Sequence, residues 1–386
     1  MKIGILTFHS QLNYGGVLQC WALQVALEQM GHDVSVIDFR LKKSIDVWHL
    51  YSWKDIKGWM RLLCGIWMVG GMSRVVRVWK TRRFIRRYLH LTPYWFADWK
   101  DAPDRLGVDV IVVGSDQVWR CGDGMDPRPF LLCDAPVIPA ISYAASFGMA
   151  VLPDSMKDVY KQALRKFSAV SCREQEGVNI CESLGISSKH VVDPTLLMQY
   201  YGERSDCAKK QGLLCYFISQ DVDAVWPYLI NFAKSMNCKI IILTNSLSIP
   251  VPISVSGVYK FLRRLVRQFN PSVKIKADAG PLEFAYEFSK AAWVVSDSFH
   301  ALMFSIRNNA NVRIVRPMDE VRKSMFSRIE EFSDHITGPV IANNVADALK
   351  SMAAGESIEY DYGWIERARV NSRHWLANAI ARTEAK

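Results

Sequence analysis

The sequence predicts an α/β protein with two domains that face each other across a cleft. Short apolar segments alternate with amphipathic helical segments over most of its 386 residues, and this alternation is typical of parallel sheets covered by helices. The alternation breaks at a polar stretch over residues 202–212 and then starts again. We therefore expect two Rossmann-like domains, one over residues 1–200 and one over residues 201–386, the second ending in a C-terminal helix.

The N-terminal half opens with a β-α-β pattern, in which a helical segment separates the apolar runs at residues 3–7 and 34–39. Such a unit has a right-handed crossover between parallel strands. Residues 109–113 form a predicted strand whose unbroken apolar run, Val110 to Val113, is of the kind that is buried on both faces of a parallel sheet. Further strands are expected at residues 137–143 and 169–172, and further helices at 153–167 and 173–184.

The C-terminal half repeats this alternation. Strands are expected at residues 213–218, 239–244, 293–296 and 312–315, and helices at 224–236, 281–290 and from Phe299 onward. Ligands of such sheets bind beyond the carboxyl ends of the strands, so the loops that follow those ends are the place to look for a site.

The composition limits the class of protein and its partners. Hydrophobic residues make up 50% of the chain and charged residues 22%, as in globular proteins. The nine cysteines show no paired C-x-x-C spacing, and the sequence opens with a strand pattern rather than a signal peptide, so we expect a cytoplasmic protein. The formal net charge of +10 favours an anionic partner.

The positive charge is concentrated in one segment. Residues 54–87 contain ten Lys or Arg residues and one acid. Trp53, Trp59 and Trp67 are interleaved with the first of these charges, a mixture typical of segments that lie on anionic membrane surfaces. We expect a basic helical insertion at about residues 45–95 that holds the protein peripherally at the inner face of a membrane. The alternative is a helical excursion packed on the first domain with its basic face in solvent.

The first candidate binding group is the turn that contains Asn13, Tyr14, Gly15 and Gly16. Free backbone amides at a helix N-terminus favour an anion or a set of sugar hydroxyls. Neither G-x-G-x-x-G nor G-x-x-x-x-G-K-[ST] occurs in the chain, which argues against a dinucleotide dehydrogenase and a P-loop enzyme. The alternative is that the glycines only permit a tight turn.

A second candidate group follows the apolar run at residues 109–113. Asp116, Gln117 and Trp119 place a carboxylate, an amide and an indole ring just beyond a buried strand. This combination suits a carbohydrate, because the polar groups bond hydroxyls while the indole face covers the C–H face of a sugar. The alternative is a capped turn with Trp119 packed in the interdomain core.

Two arginines also follow predicted strands. Arg173 opens a helix, and a guanidinium in that position can grip a carboxylate or a phosphate in bidentate fashion. The alternative is a surface ion pair with Glu174 or Glu176. Ser327 and Arg328 form either a phosphate clamp or a helix N-cap beside a solvated base, and the sequence leaves these two interpretations level.

The strongest local signal lies at residues 294–300, where an apolar strand breaks into a polar turn that ends in His300. Such a histidine points into the cleft, and a pKa near neutrality suits it to acid or base catalysis. The alternative is a structural histidine. Asp221 and Asp223 resemble a metal-binding D-x-D pair, but they stand at a helix start where aspartates are good caps, so we predict no metal site.

Six ordered blocks between about residues 3 and 330 resemble the polysaccharide pyruvyl transferase family. The blocks are residues 13–19 (NYGGVLQ), 114–119 (GSDQVW), 142–148 (SYAASFG), 171–174 (SCRE), 193–195 (DPT) and 296–300 (SDSFH). Together they are far more specific than any one of them alone.

The resemblance implies a fold similar to the GT-B glycosyltransferases, with phosphoenolpyruvate as donor and no cofactor. The implied acceptor is a sugar of an exopolysaccharide or cell-wall glycan precursor, including a lipid-linked oligosaccharide, and nucleic acid is not an implied partner. The product would be a pyruvate ketal that bridges two hydroxyls, with release of phosphate. His300 would protonate the methylene carbon of the donor, and Arg173 would hold its carboxylate or phosphate.

The resemblance also divides the other candidates between the two substrates. Ser298, Phe299, Ser327 and Arg328 are expected on the donor side. The acceptor side is expected to comprise Asn13, Tyr14, Gly15, Gly16, Asp116, Gln117 and Trp119. Ser298 stands where some family members have arginine, so that Arg328 or a residue of the basic segment would replace the missing contact.

Two rival functions remain open on the sequence. One is a GT-B-type glycosyltransferase that uses a sugar nucleotide, which would release a nucleotide instead of phosphate. The other is a non-catalytic, membrane-associated homologue, which the serine at position 298 favours.

Overall fold

A computed structural model describes residues 1–41, 48, 71–103, 106–122, 124–198, 210–244, 270–317 and 326–384. Most of the predicted linker at 202–212 and the aromatic part of the basic segment, residues 49–70, lie outside the described residues. Within the described residues, no helix is both long and apolar enough to cross a membrane.

The N-terminal domain is built on a parallel sheet with the strand order β2-β1-β3-β4. Its strands are β1 (Lys2–Leu6), β2 (Asp33–Val36), β3 (Val110–Val113) and β4 (Ala140–Ser142), and a further parallel pair comprises β5 (Ser171–Cys172) and β6 (Lys189–His190). Single parallel bridges, from Ile141 to Ala169 and from Ala145 to Cys172, join this pair to the edge of the sheet. The strand β3 is buried throughout, as its continuous run of Val and Ile predicts.

The helices of this half are α1 (Tyr14–Glu28), α2 (Gly71–Tyr88), α3 (Asp154–Leu164), α4 (Gln175–Ser183) and the single turn α5 (Pro194–Leu197). The α2 helix is the described part of the predicted basic insertion. Asn13 caps α1 by accepting a hydrogen bond from the Gly15 amide at 3.1 Å. Asp193 caps α5 in the same way, with Pro194 in the first turn.

The C-terminal domain has a six-stranded parallel sheet with the order β13-β11-β10-β7-β8-β9. Its strands are β7 (Leu213–Phe217), β8 (Ile240–Thr244), β9 (Val273–Lys276), β10 (Trp293–Ser296), β11 (Asn311–Val315) and β13 (Ile341–Ala342), while β12 (Ile336–Thr337) and β14 (Glu359–Tyr360) form an antiparallel pair. Its helices are α6 (Val222–Ser235), α7 (Pro281–Lys290), α8 (Phe299–Arg307), α9 (Ser327–Ser333) and α10 (Val345–Ala353). This strand order is that of a doubly wound nucleotide-binding sheet.

Two helices connect the domains. The final helix, α11 (Tyr362–Glu384), is anchored at its start by the Tyr362 hydroxyl, which donates to the Ile306 carbonyl of the C-terminal domain. Further along, the Ser372 hydroxyl accepts from the Val192 amide of the N-terminal domain. On the other side, the buried Arg77 of α2 donates to the carbonyls of Leu12 and Thr244, one from each domain.

Most predicted elements are present with small changes in their bounds. The predicted strand at 137–143 begins only at Ala140, and Val137 is fully exposed. Gly114, at the end of β3, has φ 117°, and a Cβ there would overlap the Tyr143 carbonyl oxygen, so the turn into the candidate site requires glycine.

Candidate active site

The carboxyl ends of the two sheets face each other at their topological switch points. In the N-terminal domain this point lies between β1 and β3, and in the C-terminal domain between β7 and β10. The loops after these four strands surround a cavity of about 250 Å³. The residues that line it are Asn13, Gly15, Asp116, Gln117, Arg120, Tyr216, Ile218, Asp297, Ser298, Phe299, His300, Pro317, Phe326, Arg328 and Ile329. The structure thus brings together predicted residues that are nearly 300 positions apart in the chain.

His300 meets the turn at the start of α1 at close range. A Cβ atom built on Gly15 would overlap the His300 imidazole, so only glycine permits this approach of the two domains. The neighbouring Gly16 allows a close approach of Asp116, because a Cβ atom built on Gly16 would lie 3.2 Å from Asp116 Oδ2. Gly15, which was predicted as an acceptor contact, therefore also allows the histidine to reach the cavity, whereas Gly16 is not part of the cavity lining.

The His300 side chain is 11% exposed, and its Nε2 atom has no hydrogen-bond partner. The closest carboxylate to Nε2 is that of Asp193, whose Oδ2 atom lies 4.0 Å away. Burial lowers the pKa of His300 below its ordinary value, although Asp193 and Asp116 oppose this effect. The imidazole is therefore biased toward its neutral form.

Asp193 is the central acid beneath the cavity and is fully buried. Its Oδ1 atom accepts from the amide and the hydroxyl of Thr195, and its Oδ2 atom accepts from the Ser115 hydroxyl and from Arg173. Burial alone would raise the pKa of Asp193, but His300 and Arg173 lower it below its ordinary value. Asp193 is therefore ionised at neutral pH and provides negative charge beside His300.

Arg173 lies in the same buried layer and does not line the cavity. Its Nη1 atom is 3.1 Å from Asp193 and 3.8 Å from Asp116, and its Nε atom is 3.7 Å from Glu174. Burial alone would lower the pKa of Arg173, but these three carboxylates raise it. The structure thus places Arg173 below the predicted donor position, within an ion-pair network; direct contact with the donor stays a prediction.

Arg328 has a different environment from Arg173. It lines the cavity, its guanidinium lies 5.1 Å from the centre of the Phe299 ring, and its Nε atom has no hydrogen-bond partner. No ion pair of Arg328 occurs among the described residues. Burial and repulsion from Arg173 lower the pKa of Arg328 to about 10, so it remains a cation at neutral pH. Arg120 is a second basic residue in the lining.

The remaining predicted donor residues have mixed positions. Ser298 and Phe299 line the cavity at the start of α8, whereas Ser327 is not part of the lining. Asp297 is held in place by hydrogen bonds that its carboxylate accepts from the backbone amides of Ile218 and Ser219 at 2.6 and 2.7 Å. This contact ties the end of β10 to the end of β7.

Tyr14 and Trp119 lie away from the cavity, which corrects two of the predicted acceptor contacts. Tyr14 is buried, its hydroxyl donates to the Ala279 carbonyl, and its ring stacks on Phe284 at 4.5 Å. Trp119 is fully buried within the N-terminal domain, and its Nε1 donates to the Phe130 carbonyl. Neither ring can cover a sugar in this conformation, because each is enclosed by side chains.

Asp193 and Arg120 are two of the site residues that the sequence did not single out. Asp193 had a signal, since Asp-Pro after an apolar run marks a helix cap close to a strand end. Arg120 had none, because it is one base in a loop. The D-x-D pair is a cap, as predicted: Asp221 accepts from the Asp223 amide at 2.9 Å. Among the described residues, no three His, Cys, Asp or Glu side chains form a metal-binding group.

The overall fold is similar to that of UDP-GlcNAc 2-epimerases. The Methanocaldococcus jannaschii enzyme has a TM-score of 0.50 at 12% identity, with 98% of this chain and 100% of the other covered. The Rickettsia bellii enzyme has a TM-score of 0.50 at 10% identity, with 100% and 97% covered. At such identities the likeness concerns the fold alone, and it confirms two facing Rossmann-like domains in a GT-B-like arrangement.

The family model of the polysaccharide pyruvyl transferases matches residues 13–317. No curated protein sequence matches the chain. The matched region begins at the Asn13 turn, contains Asp116, Asp193 and His300, and ends at Pro317, so it includes cavity residues of both domains, whereas Arg328 lies beyond it. The chain therefore belongs to the polysaccharide pyruvyl transferase family.

Proposed function

We propose that the protein transfers a pyruvyl group from phosphoenolpyruvate to a sugar of an exopolysaccharide or cell-wall glycan precursor, with release of phosphate. The observation that carries this proposal is the juxtaposition of His300 with Arg328, which has no ion pair among the described residues, in one small cavity of a family member. A proton-transfer group beside an uncompensated cation is what an anionic enol donor needs.

The donor would be bound by the C-terminal wall of the cavity. Phosphoenolpyruvate carries a carboxylate and a phosphate, and Arg328 places a cation in this wall. Because Arg328 has no acid partner among the described residues, its N–H donors are available to a ligand. A charge-assisted hydrogen bond from this guanidinium to an anion is stronger than a neutral hydrogen bond. Arg328 thereby takes the role that arginine at position 298 has in some family members.

The proton balance follows from the charges around His300. An anionic donor in the cavity raises the pKa of the imidazole and favours its protonated form. His300 then gives its proton to the methylene carbon, and one acceptor hydroxyl attacks the central carbon. A second hydroxyl of the acceptor displaces phosphate and closes the ketal. Of the two hydroxyl protons, one replaces the proton lost by His300 and the other leaves with phosphate.

The acceptor would enter along the N-terminal wall. Asn13, Asp116 and Gln117 line this side of the cavity and offer amide and carboxylate groups to sugar hydroxyls. Asp116 is held at φ 71°, and its own backbone carbonyl accepts from the Ser146 amide at 3.0 Å. Residues other than glycine with a positive φ occur at functional sites more often than elsewhere. A lipid-linked oligosaccharide is the acceptor form that the basic segment favours.

The proposal is tested by following phosphate released from phosphoenolpyruvate in the presence of a glycan acceptor. Release that depends on the acceptor, with a product heavier by one pyruvyl group, supports it. A sugar-nucleotide glycosyltransferase would instead release a nucleoside diphosphate from a panel of sugar nucleotides. Nucleotide release without phosphate release from phosphoenolpyruvate would overturn the proposal in favour of that alternative. No turnover with either donor, together with no change in melting temperature on adding phosphoenolpyruvate, would favour a non-catalytic homologue.

A further inference from the structure

A surface groove lies between α2 and α7, away from the candidate active site. Its volume is about 310 Å³, and apolar side chains form most of its walls. Its lining includes Trp79, Arg83 and Arg87 from α2 and Leu282 and Glu283 from α7. None of these residues contributes to the cavity that contains His300.

One stripe of α2 combines an exposed aromatic ring with exposed cations. Trp79, Arg83 and Arg87 are spaced by four residues, so they share one face of the helix. The Trp79 side chain is 55% exposed, and the Arg83 guanidinium lies 5.4 Å from the centre of its ring. Neither Arg83 nor Arg87 forms an ion pair within the part of the chain that the structure describes. This stripe therefore presents unbalanced positive charge beside apolar surface.

The facing helix α7 repeats the pattern. Leu282, Tyr286 and Lys290 are also spaced by four residues, and the Tyr286 side chain is 41% exposed. The Lys290 Nζ atom lies 3.9 Å from the centre of the Tyr286 ring. The acid in the groove is neutralised, because Lys80 binds Glu283 at 2.7 Å. The net charge that the groove offers to a ligand is therefore that of the arginines.

We propose that this groove binds an anionic membrane lipid, with the phosphate on Arg83 and Arg87 and the adjoining alkyl chain against Trp79 and Leu282. Aromatic rings and basic side chains that share an exposed helix face are typical of protein surfaces at a membrane interface. A free phosphate would use the arginines and leave the apolar walls without a function. The combination of both features favours a lipid.

The groove is connected to the candidate active site through one residue. Tyr14 contacts both helices that form the groove, because the Arg77 guanidinium of α2 lies 4.3 Å from its ring and Phe284 of α7 stacks on it. Its neighbours Asn13 and Gly15 line the cavity. The purpose of the site rests on the proposed function, since a lipid-linked acceptor would arrive from the same surface. Binding of a lipid in the groove does not itself depend on catalysis.

The test is co-sedimentation of the full chain with vesicles of phosphatidylcholine, with and without phosphatidylglycerol, in the absence of donor. We expect binding only with phosphatidylglycerol, and an affinity at least about tenfold lower in the Arg83→Glu/Arg87→Glu double variant. The matched control is Arg165→Glu/Arg382→Glu, which makes the same charge change at exposed arginines elsewhere and should bind as the wild type does.

A second variant separates the groove from general electrostatic attraction. Trp79→Ser leaves the charge unchanged and should weaken binding several-fold, whereas Trp79→Phe should restore it. Equal loss in the control pair, or full binding by Trp79→Ser, would overturn the proposal. The absence of vesicle binding, together with a rise in melting temperature on adding millimolar inorganic phosphate, would also overturn it, in favour of a free anion. His300→Ala should bind vesicles normally, so that failure here is distinct from failure of the proposed activity.

Discussion

Two arginines lie near the same phenylalanine ring and have opposite surroundings. The guanidinium carbons of Arg173 and Arg328 are 4.8 and 5.1 Å from the centre of the Phe299 ring. Arg173 has three carboxylates within 4 Å, whereas Arg328 has no ion pair among the described residues. Their pKa values accordingly move in opposite directions. The comparison indicates that Arg173, in the buried ion-pair layer, stabilises the site, whereas Arg328, in the cavity-wall layer, has a positive charge that is available to the ligand.

The largest expected effect concerns the group between these two layers. His300→Ala should lower the rate of phosphate release by about 10²- to 10⁴-fold, the contribution of a positioned acid or base. The melting temperature should change little, because Nε2 has no hydrogen bond to lose. The exposed His374 provides the control substitution His374→Ala. Wild-type turnover in His300→Ala would remove the histidine from the mechanism.

The main effect of Arg173→Met should be a lower free energy of unfolding. Removing the cation leaves Asp193 buried without its partner, which costs about 3 to 5 kcal/mol of the free energy of unfolding. Urea denaturation measures this loss. Adding Asp193→Asn to the same chain should recover part of it, since the two groups are coupled. A variant that unfolds like the wild type but has a raised KM for phosphoenolpyruvate would contradict this assignment and support direct donor contact.

Arg328→Met should show the reverse pattern. We expect the KM for phosphoenolpyruvate to rise about tenfold to hundredfold, the effect of losing a charge-assisted hydrogen bond. The free energy of unfolding should stay constant or rise, because the substitution removes a partly desolvated cation that has no acid partner. Steady-state kinetics and urea denaturation of the same preparation measure both quantities, with Arg382→Met as the control. An unchanged KM for phosphoenolpyruvate would show that Arg328 does not bind the donor and that its role does not differ in this way from that of Arg173.

The smallest expected effect concerns the contact that joins the two layers. The His190 Nδ1 atom lies 3.0 Å from Glu331 of α9, and its Nε2 atom contacts the Arg173 carbonyl. Burial alone would lower the pKa of His190, but Glu331 raises it above the ordinary value. The ion pair is therefore complete below about pH 6.5 and is lost as the pH rises through the raised pKa.

Because α9 also carries Arg328, this titration should reach the donor site. We expect the KM for phosphoenolpyruvate to rise severalfold on the alkaline side in the wild type, equivalent to about 1 kcal/mol or less. In His190→Gln, the difference between the KM for phosphoenolpyruvate at acidic pH and at alkaline pH should shrink. Glu331→Gln should behave in the same way. Superimposable KM profiles for the wild type and His190→Gln would show that the contact does not influence donor binding.

The sequence predicted the elements whose ends carry strong local signals. The bounds of α7 and β10 match because Pro281 opens the helix and an unbroken apolar run forms the strand. The strand β9 was missed inside a region predicted as a loop. It is a four-residue edge strand in which Val273 and Ile275 alternate with lysines, and so short a pattern is also common in loops.

The location of the site was predictable, but the direction of individual side chains was not. The strand ends of each parallel sheet share one edge, and the two edges face each other, which is why Asn13, Asp116 and His300 meet. Within one turn, however, neighbouring side chains point to different places: Gln117 faces the cavity and Trp119 enters the core. That choice depends on the packing of distant residues, which local sequence does not record.

The final helix has a mechanical consequence. Because α11 begins on one domain at Tyr362 and continues on the other at Ser372, it acts as a strut across the cleft. Any motion that widens the cleft must bend this strut or rotate around it, and a rotation keeps one side of the cleft closed. Opening of the cleft is therefore coupled to the contacts that Tyr362 and Ser372 make with the two domains.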